Sequence, residues 1–343
     1  MKIGLVGFSG SGKSTVFQWL TGVAPDPAKV QQGQTGMAKV PDDRVDKLSA
    51  IFKPKKTTFA EVAFLDTPGL DVSERRDNPR RLGILRESNG LLVVLNGYAG
   101  GDPATELERF REETAFADLE IVTGRIDKLS ANLKKPRPAK EKEIDEFEQN
   151  VLIRIKDALE SGMPAHLVEL KPDEEKAVRS FQLLTLKPEL AFVNQGEAGQ
   201  TIPPRLKQLS PKAVAAPVKL ELELAELSPE DRATFAADLG VTGSQRDDIL
   251  RGIFAGMGRI VFLTCGEDEC RAWPIDRGCD AVTGAGAIHT DLSKRFVRAE
   301  VVSFADFTAA GSMKEAKAKG TYRLEGKTYI VQDGDIMHIL ASS

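Results

Sequence analysis

The sequence predicts an α/β fold, a parallel sheet flanked by helices with its ligand at the carboxyl ends of the strands. Three observations carry this. Short apolar runs alternate with helical stretches over the first hundred residues and again after residue 187. A glycine-rich GFSGSGKST (7–15) stands between the first apolar run and the first helical one. The composition changes twice, becoming charged and helix-prone over 103–186 and strand-like from about 258. The expected organisation is a discontinuous α/β domain (1–102 and 187–257), an inserted helical hairpin (103–186) and a β-rich C-terminal domain (258–343).

Each element follows from its local pattern. KIGLV (2–6) is a buried strand, and GKSTVFQWLTG (12–22) a helix stopped by its last glycine. The stretch 23–44 reads as a loop, too polar and too rich in Pro and Gly for regular structure. EVAFLD (61–66) and GLLVVLN (90–96) are further strands, separated by a loop and a helix. In the insertion, Leu119, Val122, Ile126, Leu129 and Leu133 form one apolar seam, and Ile144, Phe147, Val151, Ile155 and Ala158 form a second. KKPRPAKEK (134–142) breaks the chain between them, so the two helices pack as an antiparallel hairpin.

LAFVN (190–194) and AVAAPV (213–218) then resume the strands, and SPEDRATFAADLG and GSQRDDILRGIFAGMG the helices, the first with Ser228 as its N-cap. RIVFLTC, ECRAWPI, FVRAEVVSF, TYRLEG and YIVQDGDIMHIL are the strands of the last domain. They are accompanied by one helical piece near 304–318, with turns at 324–327 and 333–335.

Composition narrows the function classes. With 41% hydrophobic and 29% charged residues, the 343-residue chain is of ordinary globular composition. Its net charge of −4 sets up no global basic field, so any nucleic-acid contact must come from a local patch. The three cysteines are few and odd in number, which argues against a disulfide framework and for a reducing compartment. No apolar run reaches the roughly 18–20 residues needed to span a bilayer. Functional-looking sequence begins at residue 3, and the expectation is a cytoplasmic protein without a membrane role.

The chemistry lies in three short motifs. GFSGSGKST matches G-x-x-x-x-G-K-S in the required strand–loop–helix setting. Gly7, Ser9, Gly10, Ser11, Gly12, Lys13, Ser14 and Thr15 would wrap phosphate oxygens with backbone N–H groups at a helix N-terminus. Lys13 would reach the terminal phosphates and Ser14 a Mg²⁺ ion. DTPG (66–69) ends the strand EVAFLD, which puts Asp66 on the metal and the Gly69 amide on the γ-phosphate. Leu70 follows where hydrolytic switches often place a glutamine, and it cannot hydrogen-bond water, so intrinsic turnover should be slow. NQGE (194–197) stands where a base would be read. Guanine offers two donors to a short carboxylate, and the longer Glu197 cannot reproduce that grip. Asn194 and Glu197 therefore weaken the guanine case and permit adenine; the other reading is a surface turn.

The remaining candidates are weaker. Lys134, Lys135, Arg137, Lys140 and Lys142 crowd the hairpin tip with one opposing Glu141, a patch for RNA phosphates or a solvated turn. Cys265, Cys270 and Cys279 have C-x4-C-x8-C spacing, which matches no standard zinc pattern. His166 and His338 stand alone.

The order of these features resembles the YchF/Obg-like ATPase family. So do VPDDRVDKL (40–48), FADLEIV (116–122), SFQLLTLKPELAFVN (180–194), RAWPI (271–275), IHTDLSKRFVRAEVVSFADF (288–307) and YRLEGKTYIVQDGDIMHI (322–339). The resemblance covers nearly the whole chain. It implies a Ras-like P-loop domain, a coiled-coil hairpin and a TGS domain of β-grasp type. It also implies slow hydrolysis of Mg·ATP in preference to GTP, and association with ribosomes through the hairpin tip and the TGS domain.

Three departures mark the chain as a divergent paralogue. Gly10 replaces an Asn of the family's phosphate loop. Val30 aligns with a Thr that closes on Mg²⁺, with Thr35 the only nearby hydroxyl substitute. The Gly-rich stretch after the second switch becomes the shorter, basic DVSERRDNPRR (71–81). A static nucleotide scaffold whose hairpin and TGS domain act as a binding module is the rival expectation. A small-molecule kinase ranks last, because no acceptor site or general base is evident.

Overall fold

The structure, a computed structural model, describes every residue except Glu74, Ala99, residues 240–244 and Ser343. The described chain forms two compact units, Met1–Gly36 with Ala63–Gln245 and Met37–Val62 with Arg246–Ser343.

The first unit is organised by a six-stranded sheet. Its strands are β1 (Lys2–Val6), β2 (Gln34–Lys39), β4 (Glu61–Asp66), β5 (Gly90–Gly97), β6 (Glu189–Gln195) and β7 (Val214–Ala216), in the order β2-β4-β1-β5-β6-β7. β3 (Lys56–Thr58) belongs to the other sheet. β1 runs parallel to β4 and β5, β5 to β6, and β6 to β7. Parallel strands buried on both faces need continuous apolar runs, and Gly90 through Leu95 are all buried. Because these strands are parallel, Val6, Asp66, Gly97 and Gln195 all end at one edge. Every motif singled out above follows one of those ends.

The α-helices of the N-terminal half are α1 (Lys13–Thr21), α2 (Pro27–Val30), α3 (Asp43–Phe52) and α4 (Asn78–Leu85). The expected loop at 23–44 is corrected here, since it contains α2, β2 and the start of α3. Asp26 caps α2 through the Ala28 N–H, with Pro27 at the first helical position. β2 hides its period-two pattern in small and polar residues: Gln34, Gly36 and Ala38 face inward while Thr35, Met37 and Lys39 are exposed. Gly36 is required because a Cβ there would lie 2.8 Å from the Phe17 ring of α1.

α5 (Pro103–Leu133) and α6 (Ala139–Glu160) form the expected antiparallel hairpin. Asp102 caps α5 through the Ala104 N–H. Leu107, Phe110 and Ala117 lie in the core of the sheet, while Val122 and Leu129 pack with Val151, Leu152, Ile155 and Leu159. One continuous helix thus serves two cores. Asp118 locks the junction, accepting from Arg86 Nη1, the Thr185 N–H and the Thr185 hydroxyl, each at 2.8 Å. The second seam is only half buried. Ile144 is 57% and Phe147 43% exposed, so packing stops short of the tip. α6 also begins at Ala139, inside the expected break, once Pro138 has been passed.

The strand expected at 213–218 is confined to Val214–Ala216, and Val218–Ala225 is a helix: VKLELELA alternates like a strand, but its Leu, Glu, Lys and Ala are good helix formers. The expected helix at 228–240 is present as Pro229–Asp238, with the Ser228 hydroxyl accepting from the Asp231 N–H. Its final Gly240 and the opening Gly243 and Ser244 of the next expected helix lie outside the described residues; that helix is described over Arg246–Gly256.

The second unit is built on a mixed sheet that β3 shares with β8 (Arg259–Thr264), β9 (Glu269–Asp276), β10 (Phe296–Ser303), β11 (Arg323–Glu325) and β12 (Asp335–Ala341). Their order is β11-β10-β12-β8-β9-β3. β12 runs parallel to β8 and β3 to β9, and the other pairs are antiparallel. Phe262, Ile275, Val301 and Met337 lie at its core. The single expected helix near 304–318 is corrected to Phe304–Ala310 and Met313–Ala318, with two more at Ala281–Ile288 and Thr290–Lys294. The glycines of AVTGAGAI obscure the third of these. The segment YIVQDGDIMHIL is a strand only from Asp335, with Ile330 making an isolated bridge to Asp280.

Candidate nucleotide-binding site

The phosphate loop leaves β1 and enters α1 at Gly12, whose φ of 85° is left-handed. A Cβ at Gly12 would meet Asn194 Nδ2 and carry backbone strain besides, so only glycine fits. No side chain caps α1 and no acid stands in its first turn. Its N-terminal N–H groups and dipole are therefore left for an anion. Ser9, Gly10, Ser11, Ser14 and Thr15 lie along this turn, as the motif requires.

Lys13 is only 6% exposed, and its Nζ donates to the Phe8 carbonyl at 3.0 Å. Burial pulls its pKa down to about 8, with Arg81 acting in the same sense and Asp66 and Glu106 against it. Asp66 is fully buried, and neither carboxylate oxygen has a hydrogen-bond partner. Burial raises its pKa, while Ser14 and Lys13 stand close enough to draw it back. One orphaned carboxylate beside one hydroxyl is a donor set suited to a hard divalent cation that takes its other ligands from phosphate and water. Mg²⁺ fits these residues.

The loop after β4 is zipped to the phosphate loop. The Ser9 N–H donates to the Leu70 carbonyl at 2.9 Å, and the Leu70 N–H to the Gly7 carbonyl at 3.0 Å. Gly69 approaches so closely that a Cβ would lie 2.8 Å from the Ser9 backbone. Leu70 is 1% exposed and shares the core of Val6, Phe8, Leu82 and Leu85. It is thus a packing residue facing away from solvent, a stronger reason for its lack of contact with water than its apolar chemistry. From α4, Arg81 Nη1 donates to the Gly69 carbonyl at 2.6 Å.

Asn194 is buried at the end of β6, its Nδ2 donating to the Ser11 carbonyl at 3.2 Å and its Oδ1 unpartnered. Glu197 lies two residues past the strand. Gln195 Nε2 donates to the Gln200 carbonyl at 2.6 Å and closes the loop that carries it. Tyr98, after β5, lies beside Gly12 and Gly196, and its hydroxyl donates to the Gly10 carbonyl. Glu106 accepts the Asn96 N–H at 2.8 Å, and burial raises its pKa against the pull of Asn96 and Lys13.

Arg81, Tyr98 and Glu106 stand outside the three motifs, and Gln195 lies within NQGE without a role assigned from the sequence. Only the basic character of 71–81 hinted at the first, and no local pattern marks the others. Thr35 lies on the exposed face of β2, opposite the face of Gly36 that meets α1. Val30 ends α2.

Away from this edge, Lys134, Lys135 and Lys140 are exposed, as is Lys142 in part, and Arg137 pairs with Glu141 at 2.9 Å and with Asp145. The tip charge is thus opposed by two acids. Cys265, Cys270 and Cys279 are free thiols, and the pairing of Thr264 with Arg271 sets the first two opposite each other where β8 and β9 meet. Among the described residues no group of three or more His, Cys, Asp or Glu is placed to hold a metal. His338 lies 3.0 Å from Glu300. Among the described residues no helix is long and apolar enough to cross a membrane.

Known proteins resemble the chain along its length. Residues 2–124 match the family described as "50S ribosome-binding GTPase", and residues 260–342 match the YchF-GTPase C-terminal family. The chain is similar to the "Ribosome-binding ATPase YchF" of Bacillus subtilis, 32% identical over 98% of this chain and 97% of that one. It is similar to the "Obg-like ATPase 1" of Oryza sativa subsp. japonica, 32% identical over 98% and 91%. The solved YchF GTPase of Schizosaccharomyces pombe superposes with a TM-score of 0.81 over 99% of this chain and 97% of that one, at 26% identity.

Proposed function

The chain belongs to the YchF family of P-loop proteins, and from that premise we propose that it is a slow, Mg²⁺-dependent P-loop ATPase acting as a ribosome-associated switch. The observation that carries this is the buried Lys13 beside the unpartnered Asp66 carboxylate at an uncapped helix N-terminus. Cation, acid and open N–H groups together suit a Mg-nucleotide phosphate chain and little else.

In this reading the N–H groups of Gly10 and of Gly12 through Thr15 hold the phosphates, that of Ser11 being given to the Phe8 carbonyl, and Lys13 neutralises their terminal charge. Ser14 and Asp66 hold the Mg²⁺ ion, which would offset charge on the transferred phosphoryl group. The Gly69 N–H senses the γ-phosphate. Asn194 fixes the base loop against Ser11, and Glu197 accepts from an exocyclic amine of adenine. Leu70 leaves water unpositioned, so turnover is far below a typical enzyme's ~10 s⁻¹.

α5 supports a mechanical role. It carries Glu106 beside Lys13 at one end and reaches the basic tip after 31 residues, about 46 Å at 1.5 Å per residue. The exposed Lys134, Lys135 and Lys140 there, with Lys142, would meet rRNA phosphates. The names of the relatives, ribosome-binding and ATPase, support the same reading.

Calorimetric titration with ATP and with GTP, Mg²⁺ present, on the wild type and Lys13→Ala tests the site. ATP binding at least tenfold tighter than GTP binding, and lost in the variant, is expected. Tighter GTP binding would overturn the role given to Glu197. A second reading, a static scaffold, draws on the main-chain bonds that already fasten Leu70 to the phosphate loop. An ATP-dependent change in protease sensitivity at 23–44 and 71–81 separates a switch from a scaffold.

A further inference from the structure

Arg81 is a charged group at this site that the motifs do not account for. Arg44, Arg86, Arg111 and Arg125 each pair with a carboxylate within 3.0 Å. Arg81 has no such partner among the described residues. It is half-buried, and its hydrogen bond to the Gly69 carbonyl uses one of five guanidinium N–H groups. Through Gly69, which packs on Ser9, it is held at the phosphate loop that runs into Lys13. Two cations at one phosphate loop repel each other, and an anion between them turns that repulsion into attraction.

Its origin is fixed as well. The next residue, Leu82, and Leu85 on the same helix are both 1% exposed in the core that holds Leu70. The Gly69 carbonyl it grips belongs to the residue packed on Ser9.

We propose that Arg81 is a catalytic cation supplied in cis to the γ-phosphate, taking up the charge-stabilising part of hydrolysis where no side chain at position 70 positions water. This deepens the ATPase reading above and rests on it. In the step, the water oxygen bonds to the γ-phosphorus as the bond from phosphorus to the β–γ bridging oxygen breaks. ADP leaves with that electron pair, and the water's proton passes to the released phosphate. Charge grows on the bridging and equatorial oxygens, and a planar guanidinium with free N–H groups answers it two bonds at a time. The Gly69 hydrogen bond holds Arg81 beside the residue whose N–H senses the same phosphate.

The test compares the wild type with Arg81→Ala and Arg81→Lys in three measurements: single-turnover phosphate release, ATP affinity by calorimetry, and affinity for ADP with aluminium fluoride, a mimic of the transferred phosphoryl group. For Arg81→Ala, release is expected to fall by about 10²-fold or more. ATP affinity should barely change, and affinity for ADP with aluminium fluoride should be largely lost. Arg81→Lys keeps the stem and charge without the fork and should recover part of both losses; it carries the test alone if the alanine variant does not fold.

Unchanged release and unchanged aluminium fluoride affinity in the variants would overturn the proposal. So would equal losses for ATP and for the mimic, since these would make Arg81 a general phosphate binder. If Lys13→Ala bound ATP as well as the wild type, the underlying site would fail instead. ATP binding that depends on Lys13, with release and mimic affinity indifferent to Arg81, would sink only the present inference.

Discussion

Leu70→Gln would install the side chain that many hydrolytic switches use to orient water, and it should not speed hydrolysis here. Position 70 is 1% exposed, in a core with Val6, Phe8, Leu82 and Leu85. Its two main-chain bonds to the phosphate loop hold the residue there, with its side chain in that core rather than toward a phosphate. A buried amide without partners costs about 1–3 kcal/mol. Loss of apolar burial adds about 1 kcal/mol, since the glutamine stem retains part of it. The expected destabilisation is therefore about 2–4 kcal/mol, a large share of a domain's ~5–15 kcal/mol.

Urea unfolding reads this if the two units are separated. Trp19 lies in the first unit and Trp273 in the second, so Trp19 emission in a Trp273→Phe background reports the first unit alone. Phosphate release is followed on the same samples. An unchanged unfolding midpoint with tenfold faster hydrolysis would refute the reasoning, because it would show the side chain reaching the nucleotide.

The other predictions concern the site and the tip. Burial lowers the Lys13 pKa from 10.5 to about 8, so between those pH values the unfolded chain holds a proton that the folded one has released. Stability should thus rise from pH 8 to 10.5, by up to about 3 kcal/mol, and Lys13→Met should abolish the rise in urea unfolding followed against pH. Phosphates would raise that pKa again, so ATP binding should take up a proton near pH 8.5 and weaken above it; calorimetry in buffers of different ionisation enthalpy measures this. Gly12→Ala should lose ATP binding at least tenfold with the fold retained by circular dichroism, since its left-handed φ adds about 1–2 kcal/mol of strain to the clash with Asn194. Glu197→Asp should narrow the ATP preference over GTP by about tenfold in competition binding. Reversing Lys134, Lys135 and Lys140 to Glu should reduce ribosome co-sedimentation and flatten its salt dependence by about one slope unit for each phosphate the tip no longer neutralises.

The sequence by itself determined whatever depends on neighbours along the chain. The phosphate loop is a nine-residue run whose glycines answer local backbone demands, so Gly12 and Lys13 could be assigned before any fold was known. The strands of the parallel sheet were legible because burial on both faces requires unbroken apolar runs. The hairpin was legible because a seam of three- and four-residue spacing has one helical meaning. Local signals failed where they were masked. Gln34, Gly36 and Ala38 made a strand look like a loop, the glycines of 281–288 concealed a helix, and β3 found its partner more than 200 residues away in β9.

Tertiary structure alone decided the surroundings of the site. Leu70 reads as a missing water-positioning group in the sequence and proves to be core, because the direction of a side chain depends on what packs behind it. Tyr98 bonds the phosphate loop itself, Arg81 the Gly69 carbonyl packed on it and Glu106 the Asn96 N–H at the end of β5, and no spacing along the chain encodes that convergence. Burial, and with it the depressed pKa of Lys13 and the orphaned carboxylate of Asp66, exists only once distant segments have excluded water from between them.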